Sequence, residues 1–77
     1  MAIYSVRYRT NWFGINQVTE ERYQDFADRA EAERFIEQEI KYMTTVADGG
    51  WTSYLGLPWS VQDKNRNIQT YYIRTVG

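Results

Sequence analysis

The chain contains no histidine and no cysteine, so the groups left to do chemistry are carboxylates, Lys, Tyr and hydroxyls. Nucleophilic catalysis by Cys or by a Ser-His-Asp set is excluded by composition, as are thiolate and imidazole metal sites. No Gly-rich phosphate loop of the P-loop or dinucleotide kind is present. Acid–base work by paired carboxylates needs two of them in a desolvated cleft. Glu20, Glu21, Glu31, Glu33, Glu37 and Glu39 instead fall at positions expected to be exposed. The sequence therefore predicts a protein that is not an enzyme and has no cofactor and no metal.

Recognition chemistry is better supplied. Thirteen residues are aromatic, 17% of the chain, more than one helix and a small sheet can bury between them. Tyr4, Tyr8, Phe35, Trp59 and one of Tyr71 or Tyr72 suit a core, because large rings supply most of a small one. Trp12 and Phe13 at an expected hairpin tip, and Trp51 and Tyr54 in a glycine-flanked loop, are left over. Exposed Trp and Tyr are typical of binding hot spots and subunit contacts, so these four are the expected partner anchors, with packing under their own loops as the plainer alternative.

Charge is distributed unevenly. Residues 20–48 carry nine acids against four bases, −5 net, whereas the segments on either side carry +2 each, within an overall charge of −1. Such a segment needs no more explanation than solubility. An acidic helix could also dock on a basic partner surface, since fields of one sign steer encounter, and Glu31 and Glu39 are the candidates for that contact.

An alternative function uses the sheet. Arg7, Arg9 and Arg74 interleaved with Tyr8, Tyr71 and Tyr72 suggest a surface that stacks the bases of a single-stranded nucleic acid. The isoelectric point of about 5.3 and the lack of an RNP-like motif weigh against nucleic acid as a partner.

The elements that must position these groups follow from periodicity. Ala2, Tyr4, Val6 and Tyr8 alternate with Ile3, Ser5, Arg7 and Arg9, predicting a strand from about Ala2 to Thr10. Asn11-Trp12-Phe13-Gly14 suits a hairpin connection, with Gly14 available for positive φ. A second strand from about Ile15 to Tyr23 is weakly patterned, and its register is open. Opposite charges fit across this hairpin, with Arg7 and Arg9 on the first strand and Glu20, Glu21 and Arg22 on the second.

Asp28 and Glu31 have capping-box spacing. Ala32, Phe35, Ile36, Ile40, Met43, Val46 and Ala47 recur at three- and four-residue steps, so a helix is predicted from about Asp28 to Val46, ended by Asp48-Gly49-Gly50. Trp51 to Trp59 suggests an ordered loop or a short strand. A third strand follows from Trp59, and Ile68 to Val76 forms a fourth after the polar turn Asp63 to Asn67.

The fold class expected is α+β, a small antiparallel sheet in ββ-α-ββ order with one helix packed across one face. Seventy-seven residues make one domain, 1–77. With 43% hydrophobic and 25% charged residues the composition is globular. The N-terminal segment has no unbroken apolar stretch, which predicts no signal peptide, no membrane association and a cytoplasmic location. Short, flat edge strands in so small a sheet would invite a homodimer. The general profile, carried by no motif, resembles small phage- or mobile-element-encoded accessory proteins that inhibit host machinery. The expected function is thus a non-enzymatic protein-interaction module binding through exposed aromatics and an acidic helix.

Overall fold

The computed structural model describes residues 2–15, 17–46, 49–56 and 59–76. It is an α+β fold built from β1 (Ile3–Trp12), β2 (Gln17–Phe26), α1 (Arg29–Thr45), β3 (Thr52–Ser53), β4 (Ser60–Gln62) and β5 (Ile68–Val76). The strands form one five-stranded sheet in the order β2-β1-β5-β4-β3, and all four neighbouring pairs are antiparallel.

Three strands follow the helix, so the expected ββ-α-ββ order is corrected to ββ-α-βββ. The extra strand is the pair Thr52 and Ser53, opposite Gln62 and Val61. Two residues are too few to display a period of two, which is why this segment read equally as a loop. The second strand also lies further along than its pattern suggested. Its register shifts opposite Val6 and Arg7, where Tyr23 is the extra residue. That bulge breaks the alternation beyond Tyr23, so that Phe26 rather than Asp25 falls on the face of Tyr4.

Phe13 to Ile15 are the described residues of the β1–β2 connection, and Gly14 is not in the left-handed region, so the glycine expected to supply positive φ there does not do so. Among the described residues the positive-φ glycines are Gly49, Gly50 and Gly56.

The helix is set as its sequence implies. Asp28 is the N-cap, extended at φ −126° and ψ 128°, and its side chain accepts the Ala30 N–H at 3.0 Å, while Glu31 sits in the acidic first turn. Side-chain capping of this kind satisfies a donor that the first turn leaves open. At the other end the Val46 N–H reaches Tyr42 O at 2.9 Å. Ala47 and Asp48 of the expected stripe and terminator lie outside the described residues.

One face of the sheet carries the helix. Val6, Ala32, Ile36, Val61 and Tyr71 are buried, and Val6, Ala32, Ile36 and Tyr71 form the central cluster. Tyr4, Tyr8, Phe26, Phe35, Ile40, Trp59 and Ile73 pack around it, partly buried. The expected core aromatics are all among these residues, with Tyr71 rather than Tyr72 the inward member of its pair. Tyr23, two residues beyond Glu21, lies on the helix side, where it meets Phe35 edge-on at 5.2 Å and Tyr8 at 5.7 Å, separations at which aromatic pairs attract.

Candidate functional site

The β1–β2 hairpin tip is held by the turn between β4 and β5. Asp63 Oδ1 accepts the backbone N–H groups of Asn65 and Asn67 at 2.9 Å each, and its Oδ2 accepts from Asn67 Nδ2 at 3.0 Å. Asn67, fixed this way, accepts the Phe13 N–H on its Oδ1 at 3.0 Å. The Arg66 guanidinium stands 5.5 Å from the Phe13 ring centre, within cation–π range. Trp12 Nε1 donates to Thr19 Oγ1 at 3.0 Å across the hairpin.

The backbone of the tip is thus pinned while its side chains stay outside. Phe13 is 59%, Ile15 66% and Trp12 38% exposed. With Gly14, Asn65 and Asn67 these three line an open depression of about 270 Å³. Trp12 and Phe13 were expected here; Ile15 was assigned to the following strand, and only its place in the turn reveals it.

Trp51 and Tyr54 do not join this depression. They lie by β3, across β5 and β4 from the hairpin, and both are half-buried. The Trp51 indole lies over Gly49, where an added Cβ would come within 3.1 Å of Nε1. The Tyr54 N–H is donated to Ser60 O at 3.0 Å. Beside them, Leu55 is exposed.

The two helix carboxylates also have separate surroundings. Glu31 is exposed, and with Phe26, Arg34, Phe35 and Gln38 it lines a second open depression. Glu39 is half-buried. Burial first, and then the Glu39 charge, push the Tyr23 hydroxyl above its ordinary pKa. Burial likewise pushes Tyr71 up to about 12.

The opposite face of the sheet carries no described element. Directly opposed residues share a face, so the pairing places Asp25, Ser5 and Arg74 in one row, Arg22, Arg7 and Tyr72 in the next, and Glu20, Arg9 and Thr70 in a third. Four guanidinium groups therefore share this face with two carboxylates. The acidic run 20–48 is not one side of the molecule, because Glu20 and Asp25 sit among the sheet arginines.

Arg22 holds Asp25 through paired hydrogen bonds, Nε to Oδ1 at 3.1 Å and a second from Nη2 to Oδ2, and this lowers the Asp25 pKa. Arg9 lies 3.9 Å from Glu20 and 5.9 Å from the centre of the Tyr72 ring. Arg7 and Arg74 make no ion pair among the described residues.

The tyrosine–arginine set proposed from sequence is divided by this arrangement. Tyr8 donates to Glu21 at 2.6 Å on the helix side, and Tyr71 is in the core, which leaves Tyr72 alone with the arginines. Arg22 joins them, opposite Arg7 in the β1–β2 register.

Of the two sheet edges, β3 is as short as expected, with two residues, and only β2 differs from expectation. β2 is a ten-residue edge rather than a short flat one, and it is bulged and carries Glu20, Glu21 and Arg22, features that oppose edge-to-edge pairing. Among the described residues there is no cluster of three or more metal-ligating side chains. No helix there is long and apolar enough to cross a membrane. Comparison of the chain with protein-family models, with curated proteins and with solved structures finds no significant match.

Proposed function

We propose that this protein is a non-enzymatic interaction module, acting in the cytoplasm, that binds another protein through its β1–β2 hairpin tip. The observation that carries this reading is the combination of exposed Phe13 and Ile15 side chains with a backbone pinned to Asn67. Apolar anchors held in place before binding lose little conformational freedom when a partner covers them. Trp12 forms the shoulder of the depression. Trp51 and Tyr54, with Leu55, form a separate and smaller contact.

Glu31 supplies an acidic flank for a partner with a basic surface, whereas the half-buried Glu39 acts mainly on the tyrosines. Stoichiometric binding of this kind suits an inhibitor or accessory protein of the phage or mobile-element type.

The test compares tagged wild type with a Phe13→Ser/Ile15→Ser double variant, each purified from its host at physiological salt. The expected result is a stoichiometric partner with wild type and none with the variant, at equal thermal stability. Wild type recovered alone and sedimenting as a monomer, or a partner retained by the variant, would count against the reading.

A further inference from the structure

We propose that the open sheet face is a second binding surface and that its ligand is a single-stranded nucleic acid. Phosphates would be taken by Arg7 and Arg74 and a base by the ring of Tyr72. The inference does not depend on the hairpin-tip reading.

Charge complementarity is the first argument. Four arginines and two carboxylates share the face, and the two carboxylates are committed to Arg9 and Arg22. The helix acids are on the far side of a molecule whose shortest dimension is 19 Å, well beyond the screening length of about 10 Å at 0.1 M salt. An overall charge of −1 therefore does not describe the field at this surface. Packing the face against that of a second copy would bring arginines onto arginines.

Unmet hydrogen bonding is the second argument. The buried side-chain polar atoms without a partner among the described residues are Ser5 Oγ, Arg7 Nε and Tyr72 Oη. All three belong to this face, in the adjacent rows around Arg7. Buried polar groups are ordinarily paired, and because Arg7 is also in no ion pair among the described residues, a phosphate would break no existing charge partner of its guanidinium.

The third argument separates nucleic acid from an acidic protein segment. Tyr72 lies on β5, the middle strand of the five, and its ring already has the planar Arg9 guanidinium over it at 5.9 Å. A base can occupy the position of that guanidinium, and Arg9 is exposed enough to move aside. Aromatic platforms on the uncovered face of a helix-backed sheet bind single strands in this manner. A carboxylate-rich peptide would use the arginines and leave the ring idle.

Fluorescence anisotropy of a labelled oligothymidylate of about 16 nucleotides, near the upper site size for such surfaces, tests the proposal. Wild type should bind at about 0.1 M salt, where the helix acids are screened from this face. Arg74→Gln, on an exposed position, should weaken binding severalfold and reduce the slope of log K against log salt by about 0.7, one phosphate contact on a single strand. Tyr72→Leu should weaken it about tenfold, consistent with loss of one base–aromatic stack. Lys41→Glu on the helix and the Phe13→Ser/Ile15→Ser variant should bind as wild type does. Absence of binding at that salt overturns the proposal, as does binding by Arg74→Gln with an unchanged salt slope. A poly-glutamate peptide that binds with the same Arg74 dependence and no Tyr72 dependence, and displaces the oligonucleotide, would give the face to a protein instead.

Discussion

Asn67 accepts the Phe13 backbone N–H at 3.0 Å although 54 positions separate the two residues in the chain. The bond joins the first hairpin to the last turn and makes the tip a fixed platform. Replacing Asn67 with Ala should cost about 1 kcal/mol, read from urea denaturation. Asp63→Ala should cost more, about 2 kcal/mol, because three hydrogen bonds to Asp63 disappear along with the positioning of Asn67. Equal midpoints for wild type and both variants would mean that the tip is not held by this turn.

The same substitution at two isoleucines should separate core from recognition surface. Ile36 is fully buried under the sheet, and Ile36→Ala should destabilise by about 2–5 kcal/mol, enough to unfold much of a domain this small. Ile15→Ala, at a residue 66% exposed, should change stability by no more than about 0.5 kcal/mol. Thermal unfolding of the two variants decides whether Ile15 is free for binding.

Stability should fall in alkali. Burial raises Tyr71 from its ordinary 10.0 to about 12 in the folded state, so the fold favours the neutral phenol. Its contribution is complete below the unfolded value of about 10 and is lost as pH climbs through about 12, because the unfolded chain ionises first. Denaturation midpoints measured from pH 9 to 12 should therefore decline, and Tyr71→Phe, which has nothing to ionise, should flatten the decline. An equally steep fall in that variant would assign the effect to other groups.

Glycines at two bends should behave oppositely. Gly49 has φ of +110°, and a methyl there would press on Trp51 Nε1 at 3.1 Å, so Gly49→Ala should cost about 1 kcal/mol or more. Gly14 has no left-handed φ and no atom within 4 Å of an added Cβ. Gly14→Ala should be neutral within about 0.5 kcal/mol, as chemical denaturation would show.

What could be read from the sequence was what repeats locally. The stripe from Ala32 to Ile40 and the Asp28 cap specify the helix without reference to anything distant, and the alternation of Tyr4, Val6 and Tyr8 specifies β1. The misplacements arise where structure depends on a partner strand. Tyr23 sits on a bulge defined only against Val6 and Arg7, and Thr52-Ser53 is a strand only because Val61 and Gln62 face it. Segment charge misled for the same reason. Glu20 and Asp25 follow one another with the helix acids in sequence, yet the sheet register puts them among Arg7, Arg9, Arg22 and Arg74. At the candidate site Trp12 and Phe13 were legible from their placement near a turn, whereas Asn67 was not, because nothing local to it points toward Phe13.

The sheet order puts β1 beside β5, with Ile3 opposite Val76 and Tyr8 opposite Tyr71. The central strand β5 and its neighbour β1 are thus the last and first of the five strands in chain order. Until β5 leaves the ribosome, the β1–β2 hairpin has no inner neighbour and Val6 has no Ile73 to cover it. Pairings of such long sequence separation are slow to close. The nascent chain should therefore remain without a stable core until β5 emerges, and then fold in one step that depends on the Tyr71 stretch.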